Sequence, residues 1–456
     1  MKFFSTLFAL LSPALLFPET APAAPKKPNI LFIMADDLGY GDLSCYGAPD
    51  LKSPHIDALF SQGMRFDHFY ANCPVCSPTR ASFVTGLYPD NAGVPGVIRT
   101  PLPSQMTSWG NLRDDVETLP SHLKTAGYDT AIIGKWHLGL EKPDRPNDKG
   151  FDFFHGFLGD MMDDYYTHLR HGNHYMRRNT ERVDPEGHAT DVFTGWATDY
   201  LRERKGKSHP FFLYLAYNAP HAPIQPPSDW LEKVKAREPG ISEKRAKLVA
   251  LIEHLDHGVG EVLQTLEDEH LRENTVVVFT SDNGGRVDLG ARNAPLRGGK
   301  QEMWEGGIRV STCVVWPGKI APGQRNRDHV SLTMDFYPTL SEIAGVPVKH
   351  HLDGRSFLPV LLGQEWKEEP RDLYWVRLEG NSKYGGIPYH AVREGDWKLL
   401  RNTGFEPYQM FNTKQDPAEE EPIPRESAPK KYRELFDSLM RHINHAGKIP
   451  WQREKP

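Results

Sequence analysis

Four apolar runs in this chain each give way to side chains that ionise or carry protons. Asn29–Ala35 (NILFIMA) ends in Asp36 and Asp37, and the 130–133 run is followed by Gly134-Lys135-Trp136-His137. FFLYLAY, residues 211–217, leads into Asn218-Ala219-Pro220-His221, and TVVVFT, residues 275–280, into Ser281-Asp282-Asn283-Gly284. Singly, each has an ordinary explanation: Asp-Asn-Gly-Gly is good turn chemistry, and one His is usually a surface or capping residue. Repeated after four strands, they bring carboxylates, an amide, an amine and two imidazoles to one rim. In an open parallel sheet that rim, outside the carboxyl ends of the strands, is where ligands bind. A fifth stretch, Cys73-Pro74-Val75-Cys76-Ser77-Pro78-Thr79-Arg80 continuing to Thr85-Gly86, places a thiol at Cys76 four residues before a permanent cation, Arg80. Its plain alternative is a buried cysteine pair near a turn.

These residues need elements to hold them, and the apolar patterning supplies them. Asn29–Ala35 is short, continuously apolar and bounded by Pro28 and Asp36, as a strand buried on both faces should be. Residues 130–133, 211–217, 275–280 and 312–316 read as further strands. Helical spacing marks 54–63, 118–127 (closed by Gly127), 243–270 and 334–344. Strand–helix alternation of this kind predicts an α/β fold, a mainly parallel mixed sheet between helices.

The chain has 456 residues, 39% hydrophobic and 25% charged, with a net charge of −6. That composition suits a soluble enzyme, and no basic run is dense enough to suggest nucleic acid. Four cysteines are too few for a disulfide scaffold, and the sequence leaves open whether Cys45 and Cys313 pair. Residues 1–24 combine Lys2, an apolar run and Ala21-Pro22-Ala23-Ala24, the pattern of a cleaved secretory signal. The run is broken by Pro13 and too short to span a bilayer, and no later stretch is a membrane span. A periplasmic or extracellular protein is expected.

The Cys76-Ser77-Pro78-Thr79-Arg80 stretch, with its Thr85-Gly86 step, resembles the signature of the formylglycine-dependent type I sulfatases, of the alkaline-phosphatase-like superfamily. The other motifs match that family in turn: Asp36-Asp37, Gly134-Lys135-Trp136-His137, Pro220-His221-Ala222-Pro223, Asp282-Asn283 and Lys300 before Trp304-Glu305-Gly306-Gly307. Agreement extends through Asp353-Gly354-Arg355-Ser356 to Asp396-Trp397-Lys398-Leu399, essentially the whole mature chain. The resemblance implies a catalytic domain over 25–364 and a C-terminal subdomain over 365–456, a four-stranded antiparallel sheet with a terminal helix near 430–446.

It also implies roles. Cys76 is oxidised by a formylglycine-generating maturation enzyme to 3-oxoalanine, whose hydrate has two hydroxyls, one to attack sulfur and one to expel sulfate. Asp36, Asp37, Asp282, Asn283 and residue 76 hold a divalent metal. An oxygen-rich set suits Ca²⁺ or Mg²⁺ better than Zn²⁺, and Ca²⁺ is favoured for its looser shell. Lys135 and Lys300 hold the sulfate oxygens, His221, aided by Lys300, protonates the leaving oxygen, His137 takes the proton of the second hydroxyl, and Arg80 steadies the diol. The expected substrate is a sulfated saccharide attacked from its end, of galactose or N-acetylgalactosamine type. A loop-like stretch over 157–191, carrying Asp163, Asp164, Tyr165, Tyr166, His168, Arg170 and His171, is expected to form a pocket wall. A loop near 380–389 with Lys383 and Tyr384 is expected opposite. Competing readings are a phosphonate or phosphodiester hydrolase of the same superfamily and a non-catalytic, metal-dependent binder of sulfated glycans.

Overall fold

The structure, a computed structural model, describes Met1 and residues 26–101, 108–367, 369–379 and 388–452. The expected signal (beyond Met1) and the loop with Lys383 and Tyr384 lie outside the described residues. Among the described residues no helix is long and apolar enough to cross a membrane.

Ten strands among the described residues form one sheet, whose centre is five parallel strands in the order Thr275–Ser281, Asn29–Ala35, Phe211–Ala216, Asp129–Lys135 and Phe153–Phe157. Thr312–Val315 and Met176–Arg178 flank this centre antiparallel, so the sheet is mixed at its margins. Every residue of Asn29–Ala35 is buried, because successive side chains face opposite layers and both layers are helical. Leu31, Ile33 and Ala35 pack with Ile56, Val192, Phe193, Leu251 and Leu255, from the helices Pro54–Ser61, Ala189–Glu203 and Glu243–Asp268. Ile30, Phe32 and Met34 pack on the other side with Phe83, Leu123, Phe336 and Leu340, from Cys76–Thr85, Leu119–Thr125 and Phe336–Ile343.

The expected strands and helices are present, with ends displaced by a few residues. One displacement matters for function: the 130–133 run continues through Gly134 and Lys135. Its partner strand pairs Gly134 with Gly156 and Lys135 with Phe157, and Gly134 has φ +105°. A Cβ at Gly134 would meet the Ala216 carbonyl oxygen at 2.0 Å, so only glycine lets the strand run on to deliver Lys135.

The helices are stapled as well as packed. Ser53 makes no side-chain cap on the Pro54–Ser61 helix. Asp256, buried in the long helix, accepts instead from the Ile56 amide at 2.7 Å and the His55 amide at 3.3 Å. Asp256→Ala is expected to cost about 1–2 kcal/mol of folding free energy, read by urea denaturation, because it orphans these first-turn N–H groups.

Beyond the main sheet, Asp372–Arg377, Tyr389–Glu394, Trp397–Arg401 and Gln409–Asn412 form the expected four-stranded antiparallel sheet. One face packs Val392, Leu399 and Met410 on Leu435 and Leu439 of the terminal helix Pro429–Ala446. The other packs Trp375, Ala391, Leu400 and Phe411 on Tyr70, Met303, Trp304 and Ile308. The small sheet is thus clamped against the segment that follows Lys300. The 157–191 stretch is less irregular than expected, with short strands at Leu169–Arg170, Asn173–His174, Met176–Arg178 and Glu181–Arg182. Cys45 and Cys313 are both free thiols.

Candidate active site

Cys76 opens a ten-residue helix, Cys76–Thr85, buried along its whole length and closed by Gly86 at φ +68°. Val75, in extended conformation, turns the chain into this helix and leaves Cys76 facing the carboxyl ends of the parallel strands. Asp36 and Asp37 follow the first strand, and Asp37 has φ +67°. His137 likewise has φ +62°. Left-handed backbone at two non-glycine residues costs of order 1–3 kcal/mol each and persists only where the surroundings impose it.

All ten sequence-identified site residues converge. The Asp36 carboxylate lies 3.4 Å from Cys76 Sγ and accepts from Lys135 Nζ at 2.5 Å. Lys300 Nζ reaches Asp37 at 2.6 Å and Cys76 Sγ at 3.5 Å. Asp282 accepts from Arg80 Nε and Nη2 at 3.1 and 2.8 Å. Arg80, wholly buried, also donates to the Lys135 carbonyl and the Tyr214 hydroxyl, both at 3.3 Å. It therefore braces Asp282 beneath the site. Asn283 Nδ2 donates to Asp37 at 2.8 Å.

The electrostatics are those of a site built around a cation. Burial pushes Asp282 up to about 7, and the Asp36 charge adds to the push. Burial also opposes the Asp36 charge, but Lys135, His221, Arg80 and Lys300 outweigh it and hold this carboxyl well below the usual range. Burial, then Asp36, drives the Cys76 thiol far above its ordinary value. Asn283 Oδ1 is buried with no hydrogen-bond partner. Three crowded carboxylates and an orphaned amide oxygen fit a hard divalent ion. His221 joins this cluster: ligand atoms of Asp36, Asp37, Cys76 and His221 lie within 4.8 Å of one another. The family resemblance implies a place for His221 at the leaving group, outside the metal set.

The two histidines are oriented by carbonyls. His137 Nε2 donates to Ile98 O at 2.9 Å, so its buried, unpartnered Nδ1 carries the lone pair. His221 Nδ1 donates to Ala222 O at 2.7 Å, leaving Nε2 3.6 Å from Asp37. Burial, then Lys300, brings His221 down to about 4. Burial, then Lys135 and Arg80, holds His137 well below its ordinary value.

These groups open into a cavity of about 260 Å³ lined by Cys76, His137, His221 and Lys300, and by Arg99, Asp160, Gln301 and Glu379. Asp160 lies on the 157–191 stretch expected to wall the pocket, though not among its named residues, and sequence reasoning missed the other three. Their only signal is spatial, since they come from separate loops with no shared pattern. Of the polar residues flagged on 157–191, most hold the fold. Arg170 binds Asp160 and Asp163, His168 Nε2 meets Gly187 O, and Asp164 accepts from Tyr166, Thr167 and Gln225. Tyr165, 1% exposed, has its hydroxyl 2.9 Å from Asn218 O and 2.8 Å from His221 O. Tyr165→Phe is expected to destabilise by about 1–3 kcal/mol in equilibrium unfolding, because it strands the buried His221 carbonyl, whereas Asn218 O keeps the His221 amide.

A family model described as Sulfatase matches residues 28–346, and one described as N-sulphoglucosamine sulphohydrolase, C-terminal, matches 299–448. N-acetylgalactosamine-6-sulfatase of Homo sapiens is 33% identical over 375 residues, covering 78% of this chain and 69% of its own. Arylsulfatase J of Mus musculus is 34% identical over 424 residues, covering 87% of this chain and 68% of its own. The crystal structure of Ps i-CgsB in complex with k-i-k-neocarrahexaose is similar with a TM-score of 0.83 and 31% identity, over 94% of this chain and 96% of that one.

Proposed function

Because this chain belongs to the sulfatase family, whose members are sulfuric ester hydrolases, we propose that it removes sulfate from the end of a sulfated saccharide, of galactose or N-acetylgalactosamine type. The observation that carries this reading is the convergence of Cys76 with Asp36, Asp37, Asp282, Asn283, Lys135, Lys300, His137 and His221 at one cavity. The saccharide assignment is supported by the names of the relatives, an N-acetylgalactosamine-6-sulfatase and a protein bound to a neocarrahexaose.

We further propose that Cys76 is matured to formylglycine, that the cation is Ca²⁺, with Mg²⁺ the alternative, and that the protein is exported. The displaced Cys76 thiol supports maturation, since a buried neutral thiol beside a carboxylate is a poor nucleophile as it stands. Hydrated formylglycine would supply one hydroxyl to attack sulfur and a second whose deprotonation frees sulfate. Calcium, held by Asp36, Asp37, Asp282 and Asn283 Oδ1, would neutralise the sulfate oxygens. Around these, Lys135 and Lys300 donate through Nζ to the sulfate as charge builds on it. Arg80 fixes Asp282 and, with Nη2 3.5 Å from Asp36, steadies the diol at residue 76. His137 Nδ1 is the acceptor for a proton from residue 76. His221 Nε2 hands a proton to the leaving sugar oxygen, and the anionic substrate favours its protonated form.

Matured protein offered 6-sulfated galactose, 6-sulfated N-acetylgalactosamine, their 4-sulfated isomers and a phosphodiester is expected to release sulfate from at least one sugar. Its rate there should exceed the phosphodiester rate. The reverse order would favour a phosphodiesterase, and binding without release would favour a glycan-binding protein.

A further inference from the structure

Glu379 sits where two separate arms of the site meet. It follows the strand Asp372–Arg377 of the small sheet, is 2% exposed, and lines the catalytic cavity. On one side its carboxylate accepts from Arg99 Nη2 at 2.9 Å. Arg99 is the neighbour of Ile98, whose carbonyl accepts the His137 Nε2–H hydrogen bond and whose amide donates to Ser77 Oγ at 3.1 Å. On the other side Glu379 binds Arg377 through Nε at 3.2 Å and Nη2 at 3.1 Å. Arg377, 1% exposed, donates through Nη1 to the Gln301 carbonyl at 2.7 Å, while the Gln301 amide donates to Pro74 O at 2.8 Å. Gln301 has φ +81°, a conformation that a non-glycine residue keeps only when clamped from both sides. Its predecessor is Lys300, whose Nζ lies on Asp37 and Cys76.

We propose that Glu379 is a positioning residue for sulfate-ester hydrolysis, holding His137 through Arg99 and Ile98, and Lys300 through Arg377 and Gln301. The small C-terminal sheet then has a part in proton transfer and in stabilising the charge that builds on the sulfate during reaction. A buried carboxylate between two guanidiniums suits this task because charge-assisted contacts fix direction as well as distance. The inference rests on the sulfatase reading, and its test has one readout that does not.

Glu379→Gln keeps the shape and removes the charge. With para-nitrophenyl sulfate, whose ring leaves sugar-specific contacts unused, kcat per folded molecule is expected to fall about tenfold or more, with KM changed less than about threefold. Glu379→Asp should recover part of that loss. A KM effect with kcat intact would make Glu379 a substrate contact, and a lowered melting temperature with kcat intact would make it structural; either overturns the proposal. If Glu379→Gln does not fold, Arg99→Gln, which breaks only the His137 arm, must show the kcat loss, and unchanged kcat overturns the proposal. Independently of turnover, imidazole nitrogen NMR of the full chain should show His137 as the Nε2–H tautomer in the wild type and a mixture in Arg99→Gln. The same tautomer in both would refute the His137 arm. A wild-type protein that releases sulfate from no ester refutes the proposed function instead, and the tautomer signature then decides this inference alone.

Discussion

Replacing Cys76 with alanine is expected to lower sulfate release by ~10⁴-fold or more, the scale seen when a nucleophile is removed from an otherwise intact site. The fold should survive the change. Cys76 Sγ contributes only a 3.4 Å contact to Asp36 and a 3.5 Å contact to Lys300, and alanine is the better helix former. Arg80, Asp282, Lys135 and Asp36 keep one another without it. Loss of turnover with an unchanged melting temperature therefore isolates chemistry from stability. Cys76→Ser sharpens the test, because one hydroxyl can attack sulfur but has no second proton to lose. Residual steady-state activity within about tenfold of wild type in either variant would move the nucleophile away from position 76.

Chelation is expected to have the next largest effect. Asp36, Asp37 and Asp282 are all nearly or wholly buried, and burial together with Asp36 already drives Asp282 to about 7. A divalent ion would reverse that push and give Asn283 Oδ1 the partner it lacks. Prolonged EDTA treatment of matured enzyme should remove at least ~10²-fold of the activity, by loss of charge stabilisation at the sulfate. Adding Ca²⁺ should restore it, and Mg²⁺ to a lesser degree. The melting temperature should fall in parallel, since an ion present at 100 times its Kd adds about 2.7 kcal/mol to stability. Full activity in protein shown to be metal-free would mean that the lysines alone carry the sulfate charge.

Much of this architecture is legible in the sequence, for identifiable reasons. The central strands are buried on both faces, so NILFIMA, FFLYLAY and TVVVFT announce themselves as apolar runs, and their ends give the rim. The nucleophile, lysines and histidines sit beside those runs or in a tight local motif. Strand ends are less legible, because they depend on pairing: Lys135 lies within its strand through the Gly134–Gly156 approach. Least legible is the cavity wall. Asp160, Arg99, Gln301 and Glu379 owe their place to loops packed from afar, and local sequence cannot separate them from Asp163, Asp164 or His168, which serve the fold. Arg377 reads as an ordinary strand residue until the small sheet is docked and its guanidinium is found buried beside Gln301.

Peptide mass spectrometry across residues 66–80, on protein from a host able to mature such cysteines, tests the central claim most directly. Residue 76 is expected to carry an aldehyde in the active enzyme while Cys73, buried and hydrogen-bonded to the Val376 carbonyl, remains a thiol. A protein that turns over sulfate esters with a thiol at Cys76 would contradict it.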